Sequence, residues 1–155
     1  MKTITTSQKL ICGIALLGTT FLISCGTNRK VKVAELPKAK TIEILAVNDM
    51  HAAIDNFPRL AFMADSLRNI YPNLLLISGG DNQTGNPAND QYPEKGIPII
   101  ELMNAVKFDM SAVGNHEFDS RLVGFANITH KAKFDFLSAN IDLPKTPDFR
   151  IKPYV

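Results

Sequence analysis

The chain reads as an α/β protein whose first strands run parallel and whose polar clusters share one edge of a sheet. Three observations predict this. Short apolar runs end in polar, loop-like clusters at Asp49-Met50-His51, Gly79-Gly80-Asp81-Asn82 and Gly114–Asp119 (GNHEFD). The steps from Asp49 to Asp81 and from Asp81 to Asn115 are each roughly thirty residues, about one strand–helix–strand unit. Between the clusters lie stretches with helical spacing, as right-handed crossovers between parallel strands require. Sites in open α/β sheets collect at the carboxyl edge of the strands, so the three clusters are expected to meet there.

Size and composition allow one ordinary domain: 155 residues, 45% apolar and 21% charged. The formal charge of +2 comes from the first segment, since residues 1–24 carry Lys2 and Lys9 and no acid. The remainder holds 17 − 2 = 15 basic against 15 acidic residues. A neutral body offers no basic footprint for a nucleic acid polymer. Both cysteines, Cys12 and Cys25, lie in or at the end of the N-terminal apolar segment, so the body has no disulfide framework.

Taken in order, Met1–Lys9 is basic and Leu10–Ile23 almost wholly apolar, the pattern of a secretory signal peptide over residues 1–24. As a helix the apolar part spans about 21 Å, short of the ~30 Å hydrocarbon core, which disfavours a permanent span. Leu22-Ile23-Ser24-Cys25 resembles a bacterial lipobox, in which the cysteine becomes the lipidated N-terminus. Ordinary cleavage beside an incidental cysteine is the alternative. Residues 25–40, basic and aperiodic, read as a tether between anchor and domain.

Thr41–Asn48 has the pattern of a strand entering a core. Phe57, Leu60, Ala61, Ala64, Leu67 and Ile70 recur at helical spacing, predicting a helix over about Phe57–Asn69 with Pro58 in its first turn. The Met and Phe residues of Phe57–Ile70 are expected in the core. Leu74–Ser78 is a short buried strand, Asp81–Lys95 an irregular loop, and Ile97–Val106 a helix with Pro98 in its first turn. Met110–Val113 is the third strand, Ser120–Lys131 an irregular segment or short helix, Phe134–Ala139 a fourth strand. Arg150–Val155 starts another.

The clusters carry the chemistry. Asn115 and His116, side by side on a strand-to-helix loop, offer neutral oxygen and nitrogen groups, and Asp49, His51 and Asp81 add carboxylates and a second imidazole. Five such groups converging on one spot make a metal-binding constellation. Singly, Asp49 also suits a helix cap and Asn115 a turn residue at positive φ. His130 sits among polar residues outside any motif and reads as a surface histidine.

DxH at Asp49–His51, GGDN at Gly79–Asn82 and GNHEFD at Gly114–Asp119, in that order and spacing, resemble the calcineurin-like metallophosphoesterases. The GNHEFD form is similar to the branch of 5′-nucleotidases, UDP-sugar hydrolases and 2′,3′-cyclic phosphodiesterases. The likeness runs from about Ile42 to Val155. It implies the N-terminal half of a four-layer α/β/β/α domain, here residues 41–155. It also implies hydrolysis of phosphate esters, most naturally nucleotides, by a hydroxide that two divalent metal ions activate. Asp49 and His51 would bind the first ion, Asp81 would bridge both, and Asn115 would bind the second. Zinc, manganese, iron and cobalt all suit this donor set. His116 would face the substrate, with Asp119 orienting it and keeping it protonated. Glu117 is expected to be structural, and Asn140 matches a recurrent family position without an assigned role.

The family's site also takes histidines from two later motifs, one of them GHxH, and neither occurs here. The resemblance therefore implies an under-coordinated second ion and apolar surface left for a further sheet. Three expectations follow: the N-terminal portion of an exported, lipid-anchored enzyme of the bacterial cell surface; one half of a split enzyme whose partner chain supplies the histidines; or a truncated surface lipoprotein, inactive alone and acting as a binding module.

Overall fold

The computed structural model describes residues Lys40–Val155. The expected signal segment 1–24, the expected lipidation site Cys25 and all of the expected tether 25–40 except its last residue lie outside the described residues. Among the described residues, no helix is long and apolar enough to cross a membrane.

Among the described residues, helices connect the first four of five strands, and a loop leads from the fourth to the fifth. In chain order they are β1 (Ile44–Val47), α1 (Phe57–Ile70), β2 (Leu75–Ser78), α2 (Pro87–Asp90), α3 (Ile97–Val106), β3 (Met110–Ala112), α4 (Arg121–Lys131), β4 (Asp135–Leu137) and β5 (Ile151–Lys152). All strand pairs are parallel and the sheet order is the chain order, β1 to β5. The register aligns Ala46 with Ile77, Ile77 with Met110, and Met110 with Asp135.

Strands that step in one direction through right-handed crossovers bring their helices to one face. Burial follows that rule. Leu76, Ser78, Ser111 and Phe136 are buried beneath the helices. Their neighbours Leu75, Ile77, Met110, Ala112 and Leu137, pointing the other way, are only partly buried, and Ile44 is exposed. The core lies between helices and sheet, around Leu76, Ile99, Ile100, Met103, Phe125 and Phe136. Each large side chain there stabilises the fold by about 1.5–3 kcal/mol through removal from water.

Local chemistry accounts for the ends of the helices. Pro58 and Pro98 sit in the first turns of α1 and α3, where a missing N–H costs nothing. Helix α3 ends at Lys107 in the left-handed region (φ 63°), and Arg68 of α1 donates to the free carbonyls of Val106 (2.9 Å) and Lys107 (2.7 Å). Asn104 of α3 similarly receives Lys133 N (2.7 Å) and donates to Lys131 O (3.1 Å) at the end of α4.

Three expectations are corrected. Of the Met and Phe residues in α1 only Phe57 is buried; Phe62 is 76% and Met63 50% exposed, and Ile70 is also exposed. An outer helix buries one stripe, here Phe57, Leu60, Ala61 and Ala64, and the other apolar residues fall off it. The loop after β2 contains the short helix α2, begun by Asn86, whose side chain accepts from Ala88 N at 2.9 Å. The segment after β3 is a full helix, α4, with Phe125, Ala126 and Ile128 in the core.

Candidate active site

The three polar clusters are the loops that leave β1, β2 and β3 at their carboxyl ends, and the parallel order makes them neighbours. Backbone bonds join the first two: Asp49 N to Gly80 O (3.2 Å), His51 N to Asp81 O (3.1 Å) and Ala52 N to Asn82 O (2.8 Å). The second and third meet so closely that glycine is required on both sides. A Cβ on Gly80 (φ 100°) would lie 2.8 Å from Gly114 N, and one on Gly114 would lie 2.3 Å from Asp81 Oδ1.

A buried carboxylate locks these loops. Glu117, 1% exposed, accepts from Gly114 N (2.7 Å), Asp81 N (3.1 Å), Asn82 N (2.8 Å) and Asn82 Nδ2 (3.1 Å). Four N–H donors offset the cost of burying the group. Asn82, fully buried, also accepts from Ser78 Oγ (2.6 Å) and donates to Ser111 Oγ (2.9 Å). The expectation that Glu117 is structural matches this geometry. Asn82, Ser78 and Ser111 were not anticipated, although serines at buried positions of apolar strands were a visible signal for a polar network.

On this base the expected site residues converge. His51 Nε2 stands 3.9 Å from Asp49 Oδ1. His51 and His116 meet edge to face, with ring centroids 4.8 Å apart. Asp81 Oδ1 accepts from His116 N at 2.9 Å. Asn115 adopts a right-handed helical conformation (φ −76°), so it is not a positive-φ turn residue. Its amide oxygen faces Asp81 Oδ2 at 3.3 Å while its NH₂ group faces His116 N. Rotating the amide would satisfy both contacts by hydrogen bonds. Asp49, His51, Asp81 and Asn115 supply oxygen and nitrogen donors of the kind that divalent ions take. Among the described residues no three His, Cys, Asp or Glu side chains are gathered as a preformed metal cage.

His116 Nδ1 lies 2.9 Å from Asp119 Oδ2. The Asp119 hydrogen bond, opposed by partial burial and reinforced by the charges of Asp119, Asp81 and Glu117, raises the pKa of His116. Burial works against ionisation of Asp119, but hydrogen bonds from the Thr84 hydroxyl and from His116 outweigh it and hold the carboxyl below its usual range. Each group of the pair thus favours the charged form of the other. His130 lies away from the site, on the surface, with Nε2 3.3 Å from Asp148 Oδ2. Asn140 Oδ1 accepts from Ser138 Oγ at 3.2 Å.

Comparison with known proteins identifies the family. The family model described as "Calcineurin-like phosphoesterase" matches residues 42–151. Protein UshA of Salmonella pullorum is 34% identical over 142 residues, covering 83% of this chain and 25% of its own length. Human 5′-nucleotidase is 32% identical over 118 residues, 64% of this chain and 20% of its own. The structure of Haemophilus influenzae NAD nucleotidase superimposes with a TM-score of 0.61 at 28% identity, over 67% of this chain and 21% of that one. The chain thus spans about a quarter of the length of the curated relatives it matches, and the sheet is that of the N-terminal half of their phosphoesterase domain. With its motifs, its parallel sheet and its loop edge in agreement, this chain belongs to the calcineurin-like phosphoesterase family.

Proposed function

We propose that these residues form the N-terminal half of a two-metal site that hydrolyses phosphate esters, nucleotides first among them. One observation carries the reading: Asp49, His51, Asp81 and Asn115 converge at one sheet edge beside a His116 held by Asp119. Asp49 and His51 would hold one ion, Asn115 would hold the other, and Asp81 would serve both. Two divalent ions at such a site lower the pKa of a water and polarise the phosphoryl oxygens. His116, kept charged by Asp119, sits where it can donate to an oxygen that gains negative charge as the ester bond breaks. Glu117 keeps Asp81 and Gly114 in register. The names of the human and Haemophilus relatives support a nucleotide substrate.

The lipobox-like Leu22–Cys25 supports export and a lipid anchor, so the reaction would take place at the cell surface. The absence of a three-ligand cage among the described residues favours a second reading, in which this stretch binds metal weakly until further histidines join it. They would come from additional chain or from a partner. If neither joins, the stretch acts as a surface-anchored binding module.

Elemental analysis of the purified protein, with and without Asp81→Ala, tests the proposal. Two tightly held divalent ions, lost in the variant and accompanied by release of phosphate from AMP, are expected for a complete site. Less than one exchangeable ion and no hydrolysis would support the second reading. No binding at all, with D81A indistinguishable, would overturn both.

A further inference from the structure

Thr84, in the loop after β2, touches both histidines' supports at once. Its backbone carbonyl lies 3.2 Å from His51 Nδ1 in the first loop. Its hydroxyl donates to Asp119 Oδ2 at 2.5 Å in the third, and that same oxygen faces His116 Nδ1 at 2.9 Å. A single residue of the middle loop therefore links the two outer loops, across sequence separations of 33 and 35.

Its backbone is unusual. Thr84 has φ 63°, in the left-handed region that β-branched residues avoid. Left-handed residues of this kind persist where the surroundings over-determine them, and they cluster at functional sites. Gly85 follows at φ 134°, and a Cβ there would lie 2.5 Å from His51 O. The turn is thus pressed against the His51 backbone, with the carbonyl of Thr84 directed at the ring.

We propose that Thr84 is a positioning residue for both histidines, setting the tautomer of His51 and the orientation of His116. A carbonyl only accepts, so His51 Nδ1 must carry the proton and Nε2 presents its lone pair on the side of Asp49. A metal-ligating histidine is commonly set this way by a backbone acceptor on its other nitrogen. At the other end the hydroxyl, an O–H donor, occupies one lone pair of Asp119 Oδ2 and leaves another for His116. The carboxylate is then fixed in the rotamer that meets the imidazole. The edge-to-face contact of the two rings is the visible product. The assignment rests on the proposed metal site for its purpose, though not for its geometry.

Two measurements on the full chain test it. Long-range ¹H–¹⁵N spectra of the histidine side chains, at a pH where imidazole is neutral, report tautomers. Nuclear Overhauser contacts between the His51 and His116 rings report orientation. The wild type is expected to show His51 as the Nδ1–H tautomer with ring-to-ring contacts. Thr84→Val, which keeps the shape and removes the hydroxyl, loses those contacts, and Thr84→Ser keeps them. Thr84→Gly, which relaxes the backbone, weakens Mn²⁺ binding about ten-fold, the lower end of what the loss of an outer-shell partner costs. An Nε2–H tautomer in the wild type, or ring contacts unchanged in T84V, would overturn the proposal. If Mn²⁺ binds and Asp81→Asn abolishes it while T84G binds as the wild type does, His51 is not positioned by Thr84, yet the metal site stands. If the wild type binds no Mn²⁺ while the ring contacts respond as expected, the positioning holds and the metal reading fails.

Discussion

The loop edge and the helix layer of this molecule are built on opposite terms. Among the described residues seven non-glycine positions have positive φ, and five of them, Asp49, His51, Ala52, Asp81 and Thr84, belong to the loops after β1 and β2. The other two, Lys107 and Arg121, are at the ends of helices α3 and α4. The helix layer is regular backbone closed by apolar burial around Phe125 and Phe136. The edge is irregular backbone held by a hydrogen-bonded carboxylate and amide. Such an edge gives up stability for geometry, and the layer behind it supplies the stability.

That division predicts how substitutions sort. The largest loss of stability is expected for Phe125→Ala, which empties a fully buried position packed on Phe118, Phe136 and Phe149. It should cost about 3–5 kcal/mol in denaturant unfolding. Equal losses from an exposed α1 residue such as Phe62 would contradict the burial pattern. Next comes Glu117→Ala, which leaves three backbone N–H groups and one of the two amide N–H groups of Asn82 without an acceptor. A loss of about 3 kcal/mol is expected, together with faster amide exchange at Asp81, Asn82 and Gly114. Unchanged exchange there would mean that the loops do not depend on this clamp.

Smaller effects sharpen the contrast. Asp81→Asn keeps an acceptor for His116 N and should change stability by less than about 1 kcal/mol, while Mn²⁺ binding followed by calorimetry disappears. A core-like loss of stability with binding intact would reverse the assignment. The smallest effect concerns Glu101 on α3 and Lys131 on α4, which form a 2.8 Å ion pair in the solvated helix layer. The hydrogen bond from Lys131 lowers the pKa of Glu101, and the same contact raises that of Lys131. A lowered carboxyl pKa contributes stability that is present above the unfolded value and lost as pH falls through the folded one. The raised lysine contributes stability present below its unfolded value and lost as pH rises through its folded one. Glu101→Gln should therefore flatten the stability profile slightly on the acid side, with little change elsewhere. A large shift near neutral pH would show that this pair is not an ordinary surface bridge.

Much of this was legible because it is local or periodic. The helical spacing of Phe57, Leu60, Ala61 and Ala64 marked α1, and prolines at 58 and 98 marked two helix starts. Three polar clusters after apolar runs marked the edge. What periodicity did not reveal was the phase of burial at the margins: Phe62, Met63 and Ile70 are as apolar as their buried neighbours, and only the position of the sheet exposes them. Thr84 gave no signal either, since its partners lie more than thirty positions away in both directions.

The five strands, helices α1 and α3, the family, and the six polar side chains Asp49, His51, Asp81, Asn115, His116 and Asp119 were all legible in the chain itself. Those follow from short-range pattern and from motif spacing. Only the tertiary structure decided that Glu117 is a buried clamp, that Ser78, Asn82 and Ser111 form the network beneath the loops, and that Thr84 joins both outer loops. The reason is physical. A buried polar group must find its partners wherever the fold brings them, and a parallel sheet brings together residues about one crossover apart.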